Sequence, residues 1–184
     1  MNERFSESLN YILKHIMESL TNYDVNDLDE CLDIITKSKQ IFVYGAGRSG
    51  LVGRMFAMRL MQIGLRAFFI GETITPAVNG NDCVFFVSKT GETQTAIQAA
   101  KIVNERVEAK TILLTASPDS TLAGYCDTVL HIDIQGNDRD KELAPLGTIF
   151  EDAAVIFLDS LIAALMKYIG ETEEGMRMRH PILV

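Results

Sequence analysis

The stretches "GAGRSG" at residues 45–50 and "SKTGET" at residues 88–93 combine the residue types that hold a phosphate. In the first, Gly45, Gly47 and Gly50 follow the apolar run "IFVYG", and Arg48 and Ser49 lie between the last two glycines. In the second, Ser88, Thr90 and Thr93 surround Gly91. Glycines such as Gly47, Gly50 and Gly91 let backbone amides approach an anion, and short hydroxyls donate to its oxygens. The G-x-G-x-x-G spacing is equally the fingerprint of a dinucleotide site, in which an acid about twenty residues on binds the ribose. Glu72 stands there, and it reads as readily as an exposed loop carboxylate. The second loop discriminates. A dinucleotide site does not require it, and calls instead for a substrate domain that 184 residues leave no room for. By itself "SKTGET" is also a capping box, with Thr90 as the cap and Glu92 or Thr93 closing the first turn. Together the loops favour a small phosphorylated metabolite over NAD.

Such loops need strands to end on and helices to open. Short apolar runs "IFVYG", "RAFFIG", "CVFFVS", "TILLTA" and "TVLHID" recur, with helical patterns between several of them. Strands apolar on both faces predict a five-stranded parallel sheet covered on both sides, a doubly wound three-layer α/β sandwich. In the flavodoxin-like order 2-1-3-4-5 the strands before the two loops are neighbours at the switch point. Both helix N-termini then converge on one crevice.

Helices over the N-terminal 37 residues precede the sheet. Phe5, Leu9, Ile12, Leu13, Ile16 and Leu20 share one apolar face, and Leu28, Cys31, Leu32 and Ile35 line a second helix over 26–37. Residues 51–63 read as a helix with Gly64 as its C-cap. Ala96, Ala99, Ala100, Val103 and Val107 stripe the helix after the second loop. The last long helix, over 147–169, is apolar nearly all round, which demands two partners. The sheet is one, and another subunit is the simplest second. The chain reads as one domain over 1–184, with an α/β core over 38–170 and a tail over 171–184.

Hydrophobic residues make up 47% and the charged 23% is spread along the chain, as in a folded soluble protein. A net charge of -8 argues against nucleic acid, whose binders need a basic face. The polar start "MNERFSESLN" is no signal peptide, and the most apolar window, "AAVIFLDSLIAALM", is too short to span a bilayer. A cytoplasmic protein without membrane partners is expected. Cys31, Cys83 and Cys126 are far apart without metal-ligand spacing, so buried free thiols and no metal are expected.

"GAGRSGLVGRMFAMRLMQIG", "GETITPAV", "SKTGET", "APLGTIFEDAA" and the terminal "RMRHPIL" together resemble the sugar isomerase (SIS) domain family. The likeness covers nearly the whole chain and is most specific over residues 45–64. Within the family it is similar to the branch that converts D-arabino-hex-3-ulose 6-phosphate to fructose 6-phosphate in the ribulose monophosphate route of formaldehyde fixation. The resemblance implies that reaction without a cofactor, and a homotetramer. Two departures stand out. The family's second loop commonly reads S-G-S-G-E-T, whereas Lys89 and Thr90 stand here; Lys89 adds a charge that either helps the phosphate or points to solvent. The family tail often ends His-x-x-Leu-Glu, whereas His180 is followed by "PILV".

An isomerase of this kind needs a base near two carbons, donors for the developing oxyanion and an anchor for the distant phosphate. Ser49, Ser88, Thr90 and Thr93 are the anchor, with Arg48 nearby. Glu151 matches the family's glutamate and is expected to be the base, although an acid in the first turn of a helix also complements the dipole. Asp152 points about 100° away on the helix. The match to the family further implies that His180 assists proton movement, in its own or a neighbouring subunit. His15 and His131 read as structural, and Arg59 as one half of a helix-surface ion pair. Two other functions stay open: an isomerase of another sugar phosphate, and a non-catalytic sugar-phosphate sensor.

Overall fold

The computed structural model describes residues 2–181. Five parallel strands, β1 (Ile41–Gly45), β2 (Ala67–Phe69), β3 (Cys83–Val87), β4 (Lys110–Thr115) and β5 (Thr128–His131), form one sheet in the order β2-β1-β3-β4-β5. Alternation within each strand feeds two cores. Ile41, Val43, Phe85, Ile112 and Leu114 face one side, and Phe42, Val84, Phe86 and Leu113 face the other. That two-sided burial is why these runs carry no polar face.

The first side is covered by α1 (Asn2–Ser19), α2 (Val25–Lys37), α3 (Gly47–Gln62) and α6 (Thr148–Ile169). The other side is covered by α4 (Gln94–Ile102), through Ala96, Ile97 and Ala100. Two short helices complete the chain, α5 (Asp140–Leu143) and α7 (Glu173–Met178). The helix predicted over 51–63 starts at Gly47, so the residues read as a loop form its first turn. It ends where expected, with Gly64 in the left-handed region at φ 90°.

Two expectations need correction. The apolar circumference of α6 is enclosed chiefly by α3, α1 and α2 of the same chain, so no second subunit is needed to bury most of it. Of its large apolar residues before the last turn, Ile156 alone is exposed, at 45%, whereas Leu158 is buried. On α1 the face that packs inward is Tyr11, Ile12, Ile16 and Leu20, while Phe5, Leu9 and Leu13 are exposed with Met17. A broad apolar stripe does not say which half meets its own domain. The inward half of α1 also clasps the connector that leads from β5 to α6. Ser8 Oγ donates to the Leu143 carbonyl at 2.6 Å, Tyr11 Oη to Asp140 Oδ1 at 2.6 Å, and Arg4 Nη2 to Glu142 Oε2 at 3.0 Å.

Cys31 and Cys83 are buried and Cys126 half-buried. Burial pushes the Cys83 and Cys126 thiols up to about 12, which keeps them protonated near neutrality. Among the described residues no group of three or more acidic, histidine or cysteine side chains could hold a metal, and no helix is long and apolar enough to cross a membrane.

Strand β1 passes into α3 in a turn so tight that two glycines are obligatory. A Cβ on Gly50 would lie 2.6 Å from the Gly45 carbonyl oxygen, and one on Gly45 would lie 2.7 Å from the Ser49 carbonyl oxygen. The obstructing atoms are backbone and cannot step aside. Gly50→Ala should therefore destabilise the protein by about 1–3 kcal/mol in urea unfolding. Gly124→Ala, with open space around its Cβ and an ordinary backbone, should change stability by no more than about 0.5 kcal/mol. Equal midpoints for the two variants would refute the tight approach.

Candidate active site

The register of the sheet brings the two loops together. Gly45 pairs with Val87, so "AGRS" and "SKTGET" leave adjacent strands at the same height. The α3 helix opens with the amides of Gly47, Arg48 and Ser49, which have no intrahelical acceptor. The Gly50 amide already donates to the Ala46 carbonyl at 3.2 Å. Gly50 therefore supplies space for the turn, not an amide for an anion, which corrects its expected role.

The second loop is braced from the neighbouring strand end. The Lys89 carbonyl accepts from Ala116 N at 3.0 Å and from Thr115 Oγ1 at 3.1 Å, and the Gly91 carbonyl accepts from Leu122 N at 3.0 Å. Glu92 Oε1 accepts from Thr121 N at 2.8 Å, and that backbone bond holds its carboxyl below the usual range. Within the loop, Gly91 N donates to Ser88 Oγ at 3.2 Å, so this amide too is engaged. Ser88 Oγ keeps its own proton to donate. Thr90 Oγ1 accepts from Glu92 N at 3.3 Å in a local turn that precedes the helix, so the capping box read at Thr90 is not formed. Thr93 is the actual N-cap of α4, yet its hydroxyl makes no capping bond.

Glu151 comes from the far end of the sequence. The turn before α6 puts Leu146 and Gly147 in the left-handed region, with φ 54° and 90°. This aims the first turn of α6 at the first turn of α3. Glu151, 7% exposed, accepts from Ser49 Oγ at 3.2 Å on Oε1 and from Arg48 Nε at 3.2 Å on Oε2. Gly147 leaves room for it, since a Cβ there would lie 2.9 Å from Oε2. Asp152 lies at the rim, 3.9 Å from Arg48 Nη2. Sequence reasoning placed Arg48 beside the phosphate and missed its pairing with Glu151. It also missed Gly147, whose only signal was a glycine directly before a helix.

His180 lies elsewhere. The α7 helix packs on the C-terminal end of α3, where Arg179 Nη1 donates to the Gln62 carbonyl at 3.2 Å and to Glu171 Oε2 at 2.7 Å. His180 lines a cavity of about 350 Å³ with Arg59, Gln62, Glu173, Met176 and Arg177. The α3 helix separates Arg48 from Arg59 by about 16 Å at its rise per residue, so one chain does not bring His180 to Glu151. The tail beyond Pro181 lies outside the described residues. Arg59 is paired with Asp159 at 3.4 Å, and Glu72 with Arg54, which stacks over Phe69 at 4.1 Å. Glu72 is thus engaged by a cation, not free for a ribose. His15 donates through Nδ1 to the Tyr11 carbonyl at 2.8 Å, in keeping with a structural role.

Comparison with known proteins bears on the family and the fold. A family model described as the SIS domain matches residues 34–149. An uncharacterized protein of Methanothermobacter thermautotrophicus is 36% identical over 184 residues, covering 94% of this chain and 93% of its own. The 3-hexulose-6-phosphate isomerase of Methylomonas aminofaciens is 36% identical over 173 residues, covering 90% of this chain and 94% of its own. A crystal structure from Methanococcus jannaschii, for which a molecular function of 3-hexulose-6-phosphate isomerase was inferred, superposes with a TM-score of 0.83. It is 34% identical and covers 99% of both chains.

Gly91 has φ 63°, and a Cβ there would lie 1.9 Å from Ser120 Oγ and 2.4 Å from Ser120 Cβ. Gly91→Ala should therefore cost about 1–2 kcal/mol for the left-handed backbone alone, with a steric penalty added. Ser120→Gly in the Gly91→Ala background should recover the steric part only. Urea unfolding of the four proteins of this cycle measures the coupling. Strict additivity would show that Ser120 is not what the glycine makes room for.

Proposed function

The chain belongs to the SIS domain family, and from that premise we propose that it is a sugar-phosphate isomerase converting D-arabino-hex-3-ulose 6-phosphate to fructose 6-phosphate. The observation that carries this reading is the buried Glu151 carboxylate, hydrogen-bonded to the first of two adjacent donor-rich loops. The isomerase relatives of similar length and 34–36% identity support the choice of substrate.

The phosphate is held by the Gly47, Arg48 and Ser49 amides together with Ser88, Thr90 and Thr93. Because its 6-hydroxyl is esterified, a 3-ketose cannot close a furanose ring through it, so an open-chain substrate needs no ring-opening residue. Glu151 takes the proton from C2, the electrons pass to the C3 carbonyl, and an enediolate forms. The proton of the C2 hydroxyl passes to the oxygen on C3, and return of a proton from Glu151 to C3 then gives the C2 ketone. The chemistry calls for no cofactor or metal. Lys89, half-buried on the second loop, adds positive charge to the phosphate side.

His180 serves the site of a second copy. Leu51, Met55 and Met58 on α3, with Ile156 on α6, form an exposed apolar strip beside Arg48 and Asp152. Leu146, 94% exposed, stands at the same rim. Association through this strip, most simply within a tetramer, covers it and lets the partner's tail approach Glu151.

A coupled assay supplying the hexulose phosphate, with no nucleotide or metal added, tests the reaction. Glu151→Gln should lower turnover by about 100-fold or more. Asp152→Asn should be nearly silent, and wild-type turnover in Glu151→Gln would show the wrong carboxylate had been chosen. Thr93→Ala should mainly raise KM, by about 10- to 100-fold for one donor lost to a charged group. It is a cleaner probe than Ser49→Ala, because Ser49 also holds Glu151. Co-expression of Glu151→Gln with His180→Ala tests the shared site. Mixed assemblies should exceed the summed activities of the separate variants, whereas no gain would show that His180 does not serve the site of a second copy.

A further inference from the structure

Each oxygen of Glu151 is already committed, Oε1 to Ser49 and Oε2 to Arg48. Two partners on opposite oxygens fix the direction in which the carboxylate faces. For it to turn toward a carbon-bound proton, one of them must let go. The two partners differ. Ser49 is buried in the first turn of α3, whereas the Arg48 side chain is 54% exposed and its only other anionic contact among the described residues is Asp152 at 3.9 Å. Among the described residues, the charged groups beside Glu151 are Arg48 from α3, which pairs with it, and Asp152 from its own helix, which Arg48 also approaches. Arg48 is the movable one.

We propose that Arg48 is a positioning residue operated by the substrate: in the free protein it restrains Glu151, and a phosphate dianion arriving at the α3 N-terminus draws it away and releases the base. This rests on the isomerase reading of the same site. A guanidinium matches a phosphate geometrically and a dianion outweighs a single carboxylate, so the exchange runs in the required direction. The energy of holding the non-reacting end of the substrate then goes into preparing the reacting end. A sugar without the phosphate leaves the restraint in place and keeps its C2 proton.

Supplying the substrate in two pieces tests this. The phosphate-free hex-3-ulose is incubated with the protein in D₂O, with and without phosphite dianion, and deuterium entry at C2 is followed by NMR. In the wild type, phosphite should speed exchange by about 10- to 100-fold, the weight of one charge-assisted hydrogen bond. Arg48→Met should exchange faster than wild type without phosphite and gain little from adding it. Arg48→Lys, which keeps a cation on the stem, should retain part of the phosphite response. Equal phosphite activation in wild type and Arg48→Met would overturn the proposal, as would slower unassisted exchange in Arg48→Met than in wild type. Failure of the wild type to convert the phosphorylated hexulose to fructose 6-phosphate would remove the isomerase reading, and this one with it.

Discussion

The close approach of two glycines at the end of the first strand is the constraint on which the site rests. Gly45 and Gly50 let the chain turn from β1 into α3 with backbone against backbone, where a single methyl group on either would collide. Because the turn takes no extra residues, α3 begins at Gly47 and its free amides open at the carboxyl edge of the sheet. Ser49 is thereby buried one residue before the second glycine, in position to meet a side chain from another helix. A looser turn would move the helix start, and with it every donor that the site presents.

What meets Ser49 arrives from 102 residues away. Two left-handed residues, Leu146 and Gly147, break the connector just before α6 and fix the direction of its first turn. Left-handed backbone at a non-glycine residue costs free energy that the surroundings must over-determine. Here the clasp of α1 on α5, the enclosure of α6 by three helices and the Arg48–Glu151 pair do so. The geometry of the candidate site and helix packing are consequently one problem in this fold, since Glu151 is held by the same helix that fills much of the main core.

The strands were legible because each is apolar on both faces, and in the order expected for such a doubly wound sheet the two donor-rich loops leave neighbouring strands, as they do. The loops themselves were legible by residue type, as was Glu151 through its likeness to family members. Contacts between distant segments were not. Nothing in "RSG" signals that Arg48 faces a carboxylate, and nothing in "SPDSTL" signals that Ser120 sits against Gly91. Periodicity likewise marks a helix as amphipathic without saying how its stripe divides, which is why Phe5, Leu9 and Leu13 are exposed while Tyr11 and Ile16 are buried. His180 shows the same limit at larger scale, since its place depends on which surfaces meet.

The clasp of α1 also sets an order of events. Ser8, Tyr11 and Arg4 find their partners 135, 129 and 138 residues further along the chain. During synthesis α1 emerges well before its partners, and the inward half of its apolar stripe remains open until α5 and α6 have left the ribosome. The contacts that complete the catalytic corner are thus among the most non-local in the fold, and loop closure makes such contacts slow to form. A partly made chain can contain all five strands and both donor-rich loops before Glu151 and the helix that carries it have emerged.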